Sequence, residues 1–314
     1  MKKAPVIVFM GTPDFAVPCL SALQEAGFRI PLVVTQPDRP KGRGRSLAPP
    51  PVKSAALQMG LTIYQPQNAR DESTVDRIEA LAPDFIVVVA FGQILPRPIL
   101  EIPRRGAVNV HASLLPKYRG PAPIQWALIR GEKETGVTTM LMDSGVDTGD
   151  ILLKATTPIG PMDTADTLHT RLSHMGAELL VETVLGLWDG TLFPHAQRHN
   201  EVTYAPMLKK EDGRINWKQN AVEIDAFIRA MTPWPGAYCF VDDRRLKIIN
   251  ARPLAGAVHQ QRPGTVLDTF PDELRIACSG GALLVTKVQG ASGKQMETCD
   301  FLRGNPIVPG TLIN

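Results

Sequence analysis

A short run of the chain places a carboxamide and an imidazole two residues apart, at Asn109 and His111, within an otherwise apolar stretch. If residues 108–111 form a β-strand, its period of two puts both polar side chains on one face and Val108 and Val110 on the other. At the carboxyl end of a buried parallel strand, an amide donor and an imidazole that face one cleft can stabilise the same developing oxyanion. This pair is therefore our first candidate for a catalytic site.

A possible third member of the site, Asp147, lies in the glycine-containing loop 142–150. The loop follows the next predicted strand, so it could bring a carboxylate toward the imidazole of His111, pair with the charged ring and fix its orientation. Plainer explanations exist, because backbone groups can satisfy a strand-end Asn-x-His and Asp-rich loops with glycine are often only turns. Spacing alone leaves both interpretations open.

Around these residues, apolar runs alternate with helical patterns, which predicts the elements that must position them. Buried strands are predicted at 6–10, 31–35, 85–90, 108–111 and 137–142. Helices are predicted at 18–26, 52–59, 73–81 and 123–129, with a longer one at 163–188. This alternation indicates an α/β, Rossmann-like fold with a mostly parallel sheet, whose ligands bind beyond the carboxyl ends of the strands.

From about residue 207 the pattern changes to short β-like runs separated by Gly, Pro and Asp. Strands are predicted at 237–241, 245–249, 264–267, 273–277 and 282–288, with one helix around 221–230. We therefore expect three parts: residues 1–190 as the Rossmann-like domain, 191–206 as a linker and 207–314 as a smaller β-rich domain with an OB-like barrel.

Composition excludes several classes of protein. A length of 314 residues suits two globular domains, and no apolar run approaches the ~20 residues that a membrane-spanning helix needs. We expect a cytoplasmic protein that does not bind membranes. The four cysteines are scattered without metal-ligand or disulfide spacing, which favours free buried thiols and no metal site. Neither GxGxxG nor a Walker motif occurs, which argues against a dinucleotide or ATP role.

The residues around the candidate site also resemble those of a known family. The sequence NVHASLLPKYRG at residues 109–120, with DTG at 147–149, is similar to the signature of the 10-formyltetrahydrofolate-dependent formyltransferases. The sequences FMGTPDFAVP at 9–18 and QPDRPKGRGR at 36–45 resemble the branch of that family whose acceptor is methionyl initiator tRNA. The resemblance covers essentially the whole chain.

The resemblance implies an activity in translation initiation and a role for each candidate residue. The protein would transfer a formyl group from N10 of 10-formyltetrahydrofolate, a co-substrate and not a permanently bound cofactor, to the α-amino group of methionyl initiator tRNA. By this resemblance Asn109 and His111 stabilise the oxyanion, whereas Asp147 orients His111 and helps to move a proton from the amine toward the leaving nitrogen. Such chemistry requires neither a metal nor a covalent nucleophile.

The resemblance also assigns the contacts with both substrates. The pterin of the folate would bind to the loop after the strand at 85–90 and to the turn after His111, at Phe91, Gly92, Gln93, Ile94, Leu95, Ser113, Leu114, Leu115 and Pro116. The plain alternative for Leu114, Leu115 and Ile94 is core packing. The tRNA would contact a basic loop at Arg39, Lys41, Arg43 and Arg45, with Arg43 closest, and also the C-terminal domain. We expect the protein to act as a monomer.

Other functions stay open at this point. The same three residues would serve a related enzyme that formylates glycinamide ribonucleotide or an amino sugar nucleotide, or one whose acceptor is water. A non-catalytic RNA-binding protein on a nucleotide-binding fold would not need the three together, and a nicotinamide dehydrogenase would need the missing glycine fingerprint. A basic run such as 39–45 is often only a solvated turn. The excess positive charge of the chain, +3, lies in its C-terminal third.

Overall fold

The computed structural model describes residues 4–41, 46–254, 256, 260–268, 272–291 and 293–314. The chain divides into two compact units. Within the described residues, the first takes the chain up to Pro123, then Thr135–Thr157 and His169–Ala205, whereas the second takes Ile124–Glu134, Pro158–Leu168 and Pro206–Asn314. Residues 191–205, most of the segment predicted as a linker, therefore belong to the first unit.

The first unit is built on a mostly parallel sheet, as the sequence predicted. In chain order the strands are β1 (Val6–Gly11), β2 (Arg29–Val34), β3 (Arg39–Lys41), β4 (Ser46–Ala48), β5 (Ile63–Tyr64), β6 (Phe85–Val89), β7 (Ala107–His111), β8 (Glu134–Leu141) and β9 (Ile151–Pro158). Seven of them form one sheet in the order β5-β2-β1-β6-β7-β8-β9, and β3 pairs with β4 in a separate hairpin. The pairs from β5 to β7 are parallel, and β8 runs antiparallel to β7.

The central strands are continuously apolar in sequence because both faces of the sheet are buried. All five residues of β6 are buried, and Ile7–Met10 of β1 have no exposed surface. Helices cover such sheets on both sides, so nearly every side chain of a central strand enters the core. The helices of the first unit are α1 (Val17–Glu25), α2 (Pro51–Gln58), α3 (Glu72–Glu79), α4 (Arg97–Glu101) and most of α6 (Ala165–Asp189). All but the first residue of α5 (Pro123–Ile129) belongs to the second unit.

The strand order creates a switch point between β1 and β6. After β1 the chain adds strands on one side of the sheet, and after β6 it adds them on the other. Connections that depart in opposite directions leave a crevice at the carboxyl ends of the two strands, and open α/β sheets bind ligands there. The fold therefore places a candidate site beside the loops that follow β1, β6 and β7.

The second unit contains a five-stranded antiparallel sheet curled as a half-barrel, which confirms the predicted β-rich architecture. Its strands are β10 (Tyr238–Val241), β11 (Arg244–Leu254), β12 (Leu274–Cys278), β13 (Gly281–Gln289) and β14 (Gln295–Glu297), with helices α7 (Ala221–Met231) and α8 (Thr298–Gly304). The order is β10-β11-β13-β12, and β14 pairs with β13. The prediction of a strand at 264–267 is wrong, because these residues form only isolated bridges, at Thr265 and Val266.

Several elements escaped prediction because their patterns are short or partly polar. Strand β9 alternates buried residues with more exposed ones and includes Lys154. Its sequence is therefore not a continuous apolar run, and no strand was predicted there. Helix α4 has five residues, too few to establish a helical period. Helix α8 has only two large apolar side chains, Phe301 and Leu302, which are adjacent and show no helical period. The β3–β4 hairpin lies in a segment whose prolines and glycines predicted only a loop.

The cysteines are free, as their scattered positions predicted. Cys19, Cys239 and Cys278 are buried, and burial raises the pKa of each thiol to about 12. Among the residues that the structure describes, no cluster of three metal-binding side chains occurs. Within the same residues, no helix combines the length and apolar character needed to cross a bilayer.

Candidate active site

The structure brings His111 and Asp147 together at the carboxyl end of β7. The Nδ1 atom of His111 lies 3.6 Å from Oδ2 of Asp147, and both side chains are largely buried. Asn109 lies two residues before His111 on the same strand and is half-buried, whereas Val108 and Val110 are buried. The alternation of the strand therefore puts Asn109 on the face that carries His111, as the sequence predicted.

The second ring nitrogen of His111 has a partner that the sequence did not predict. Its Nε2 atom lies 2.9 Å from the carbonyl oxygen of Tyr118. Because a carbonyl only accepts hydrogen bonds, Nε2 carries a proton in this arrangement. Nδ1 is then the nitrogen that can gain or lose a proton, opposite the carboxylate of Asp147. The pair can therefore hold a positive charge on the ring or pass a proton between imidazole and carboxylate.

Asp147 reaches this position from a tight turn after β8. Its φ angle of 53° lies in the left-handed region, which few residues other than glycine adopt. Its Oδ2 atom accepts a hydrogen bond of 2.8 Å from the backbone N–H of Gly120. Ala90 and Tyr118, with φ angles of 46° and 61°, are strained in the same way near the ends of β6 and β7. Two further non-glycine residues with positive φ, Ala82 and Asp242, lie elsewhere in the chain, so the left-handed backbone of Asp147 supports the assignment of an active site only together with its position beside His111.

The turn after His111 is tied to β8 by hydrogen bonds. Thr138 Oγ1 donates to the carbonyl oxygen of Ser113 at 2.7 Å and accepts from the N–H of Leu115 at 3.1 Å. Ser113, Leu115 and Pro116 are buried, and Leu114 is half-buried. The core-packing alternative therefore holds for Leu115, and Leu114 keeps part of its surface accessible.

The loop after β6 divides into buried and exposed residues. Phe91 and Leu95 pack in the hydrophobic core, whereas Gly92 and Ile94 are exposed, so the core-packing alternative is wrong for Ile94. The Gln93 side chain accepts a 2.7 Å hydrogen bond from the N–H of Ala69 and fastens the loop. Since β6 Val88 lies beside β7 Asn109 in the parallel register, the loop leaves the sheet next to His111.

A cavity of about 560 Å³ lies at the switch point of the sheet, within the volume range of small-molecule sites. It is lined by the loops after β1, β2 and β6 and by the β3–β4 hairpin, at Thr12, Pro13, Asp14, Gln36, Pro37, Arg39, Pro40, Ala48, Pro49, Pro50, Pro51, Ala90, Phe91 and Gly92. Of the predicted folate residues, only Phe91 and Gly92 are among them. The described residues that line the cavity do not include Asn109, His111 or Asp147.

Thr12 and Gln36, which were not predicted as site residues, shape this cavity. The hydroxyl of Thr12 donates a 2.7 Å hydrogen bond to the carbonyl oxygen of Phe91 and so joins the loops after β1 and β6. Gln36 is buried, and its Nε2 atom has no hydrogen-bond partner among the described residues. A buried donor without a partner is rare. The Gln36 amide can therefore donate a hydrogen bond to an acceptor atom, once a small rearrangement lets that atom reach it.

Of the basic residues predicted to contact RNA, only Arg39 is described with its side chain. Its Nη2 atom donates to Oε1 of Gln36 at 3.2 Å on the wall of the cavity. Arg43 and Arg45 lie outside the described residues, and Lys41 belongs to β3. Lys53, a further basic residue on α2, is paired with Asp38 at 2.7 Å. Hydrogen bonds from Gln65 and Lys53 lower the pKa of Asp38 below its ordinary value.

In the second unit, arginine side chains stack on the aromatic residues of β10. The guanidinium of Arg245 lies 3.7 Å from the ring centre of Tyr238, and that of Arg214 lies 5.6 Å from that of Phe240. Trp217 and Tyr238 are buried, which fits core packing, whereas Trp234 is half exposed and does not. This surface of the second unit thus presents cations held by aromatic rings.

Comparisons with known proteins show which families and proteins the chain is similar to. A family model described as formyl transferase matches residues 4–184, and one described as formyl transferase, C-terminal domain, matches residues 207–306. The chain is 50% identical over 307 residues to a methionyl-tRNA formyltransferase of Citrifermentans bemidjiense, which covers 98% of this chain and 96% of that protein.

Two solved structures share the fold. One is an N-formyltransferase from Helicobacter canadensis in complex with folinic acid and dTDP-3-aminofucose, with a TM-score of 0.66 and 19% identity over 90% of this chain and 99% of that one. The other is HypX from Aquifex aeolicus in complex with tetrahydrofolic acid, with a TM-score of 0.63 and 18% identity over 95% of this chain and 46% of that one. At these identities the likeness concerns the fold alone.

Proposed function

The chain belongs to the formyl transferase family, and we propose that it transfers the formyl group of 10-formyltetrahydrofolate to the α-amino group of methionyl initiator tRNA. The observation that carries the chemistry is the pairing of the His111 imidazole with the Asp147 carboxylate, beside Asn109, at the edge where this fold binds ligands. The acceptor is inferred from the relative that is 50% identical along nearly the whole chain.

The reaction begins when the uncharged amine attacks the formyl carbon. A C–N bond forms, the carbonyl π bond breaks and the formyl oxygen becomes negatively charged. The carboxamide of Asn109 donates a hydrogen bond to this oxygen, and the protonated ring of His111 provides the compensating positive charge. Removing one preorganised donor of this kind typically costs about 2.7–4 kcal/mol of transition-state stabilisation.

The second half of the reaction is a proton transfer. The attacking nitrogen becomes cationic on addition and loses a proton to Asp147, directly or through a water molecule. The same proton then reaches N10 of the folate, which leaves as the C–N10 bond breaks and the carbonyl re-forms. Atoms and charges balance with the protein unchanged, and the mechanism uses neither a metal nor a covalent intermediate on the chain.

The two substrates approach this site from neighbouring loops. The folate binds along the loop after β6 and the turn at 113–116, where backbone groups and Leu114 offer polar and apolar contacts to a flat heterocycle. The proline-walled cavity beside the β3–β4 hairpin is apolar enough to take the thioether side chain of the esterified methionine. Arg39, Lys41, Arg43 and Arg45, together with the basic surface of residues 207–314, bind the phosphates of the tRNA. We expect a monomer that acts in the cytoplasm, where translation occurs.

One experiment tests the activity and its acceptor. The purified protein is mixed with 10-formyltetrahydrofolate and, in separate reactions, with methionyl initiator tRNA, charged elongator tRNA, glycinamide ribonucleotide, an amino sugar nucleotide or no acceptor. We expect consumption of the donor and an N-formyl product with initiator tRNA alone. Consumption without an acceptor would indicate a hydrolase, and consumption with a small amine alone would reject the tRNA acceptor.

A further inference from the structure

Gln197 lies in the segment between α6 and the second unit, outside every helix and strand, yet it is only 6% exposed. Its sequence context, polar and irregular, predicted no more than a linker. A long polar side chain is rarely buried in such a segment unless its hydrogen-bonding groups are satisfied.

Both ends of the amide are fully engaged. The Oε1 atom accepts hydrogen bonds from Nε and Nη2 of Arg119, at 3.1 and 2.7 Å. The Nε2 atom donates to the carbonyl oxygens of Asp147 and Gly149, at 2.9 and 2.7 Å. An amide offers two N–H donors and one oxygen with two lone pairs, so Gln197 uses its entire capacity. The side chain thus bridges Arg119 to the turn that carries Asp147.

The two segments joined by this bridge are those that hold the His111 ring. One segment contributes the Tyr118 carbonyl, which faces Nε2 of His111, and the Gly120 N–H, which donates to Oδ2 of Asp147. The other segment contributes Asp147 itself, whose backbone is in the strained left-handed region. Strain of about 1–3 kcal/mol persists only where the surroundings fix the conformation. Two hydrogen bonds from Gln197 to carbonyls of this turn fix it.

We propose that Gln197 is a positioning residue for the formyl transfer, which acts by holding the turn at 147–149 so that Asp147 faces Nδ1 of His111. This inference rests on the proposed function. Gln197 does not need to touch either substrate. Because the amide donates to two backbone carbonyls, neither glutamate nor an apolar residue can replace it: glutamate keeps the acceptor for Arg119 but loses both donors, and methionine loses the acceptor as well.

The test compares Gln197→Glu and Gln197→Met with the unchanged protein and with Gln58→Ala, which removes an exposed glutamine at the end of α2. We expect kcat to fall about 10-fold to 100-fold in both Gln197 variants, while the KM for each substrate changes less than about threefold, because a small misplacement of a reacting group costs up to about 100-fold. Gln58→Ala should match the unchanged protein. A Gln197→Glu variant that folds and keeps its kcat would overturn the proposal.

A double-mutant cycle separates positioning from a general loss of structure. If Gln197 acts through Asp147, then Gln197→Glu added to Asp147→Asn should lower kcat less than twofold beyond Asp147→Asn alone. A full additional decrease would mean that Gln197 acts by another route. If the unchanged protein transfers no formyl group to any acceptor, the proposed function fails instead, and the positioning role is judged on structure alone.

Hydrogen exchange supplies that structural readout, which does not depend on activity. The Gly120 N–H is protected by its bond to Asp147 Oδ2. In Gln197→Glu we expect this amide to exchange at least 10-fold faster, while the amides of β1 and β6 keep their protection. Unchanged exchange at Gly120 would overturn the proposal even if the Gln197→Met variant failed to fold.

Discussion

The Nδ1 atom of His111 lies 3.6 Å from Oδ2 of Asp147, while the opposite ring nitrogen faces the carbonyl oxygen of Tyr118 at 2.9 Å. The imidazole is thus hydrogen-bonded to the backbone on one side and faces a carboxylate on the other before any substrate binds. A ring fixed in this way can change its charge without reorientation, which is what preorganised electrostatic catalysis requires.

Replacing either member of the pair should abolish most of the turnover but not the fold. We expect His111→Ala and Asp147→Asn each to lower kcat by about 10²-fold to 10⁴-fold, the usual contribution of a positioned acid or base. Folate affinity, measured by fluorescence quenching or calorimetry, should stay within a few-fold of the unchanged protein, as should the melting temperature. Near-normal turnover in either variant would remove that residue from the mechanism.

Asn109 should contribute through the transition state alone. We expect Asn109→Ala to lower kcat by about 10²-fold to 10³-fold, the effect of losing one oxyanion donor, with little change in the KM for either substrate. Single-turnover rates with saturating substrates measure this directly. Asn68→Ala, which removes an exposed carboxamide elsewhere in the first unit, serves as the control. A rise in KM with unchanged kcat would instead assign Asn109 to ground-state binding.

Affinity for tRNA should depend on salt through the basic loop. Each phosphate contact contributes about one counterion to the slope of log K against log salt concentration, so Arg39→Ala and Arg43→Ala should each reduce that slope by roughly one. Filter binding or fluorescence anisotropy between low and moderate salt provides the measurement. Arg29 lies at the amino edge of the sheet, on the first residue of β2, so Arg29→Ala should leave the slope unchanged. A slope near zero for the unchanged protein would argue for a small acceptor.

A methyl group at Gly149 should displace the turn that carries Asp147. A Cβ atom there would clash with the backbone carbonyl oxygen of Leu141, so the backbone must move. We expect Gly149→Ala to lower the free energy of unfolding by about 1–3 kcal/mol, as overpacking does, and to lower kcat as well. Urea unfolding and steady-state kinetics measure both effects. Gly304→Ala, where a Cβ would meet nothing within 4 Å, should change neither.

The buried thiols should make the folded protein unreactive toward thiol reagents. Burial raises the pKa of Cys19, Cys239 and Cys278 to about 12. These three thiols are therefore almost entirely protonated at pH 8. Only Cys299 is partly exposed. Because the thiolate is the reactive form, we expect dithionitrobenzoate to modify one thiol rapidly in the folded protein and all four in urea. Rapid reaction of two or more thiols in the folded protein would contradict this.

The same shifts fix the sign of the alkaline pH dependence. In the unfolded chain these thiols ionise near pH 9, whereas in the folded protein they stay protonated to about pH 12. The contribution of these thiols to the free energy of unfolding is therefore fully present below pH 9 and is lost as the pH rises toward 12. Urea midpoints between pH 8 and 10.5 should fall, and less steeply in Cys19→Ala than in the unchanged protein.

The sequence by itself determined the class of fold and which residues are candidates for the site. Apolar runs such as Phe85–Val89 specify buried parallel strands because both faces of the sheet are covered, and the alternation of β7 fixes which side chains share a face with His111. Both signals are local, because they depend on the spacing of apolar residues along the chain and on which residue types are buried. No single segment specifies the order of the strands. The switch point, which depends on that order, is therefore compatible with the local pattern but is not predicted by it.

Only the tertiary structure decided how the polar groups meet. The Tyr118 carbonyl and the Gly120 N–H are backbone atoms, which carry no residue-type signal, yet they hold His111 and Asp147 in place. Gln197 follows Asp147 by fifty positions and bonds to its carbonyl because the chain returns to that turn after α6. Contacts between segments so distant in sequence depend on the packing of the whole unit, and the free energy of each hydrogen bond is gained only once that packing has brought its partners together.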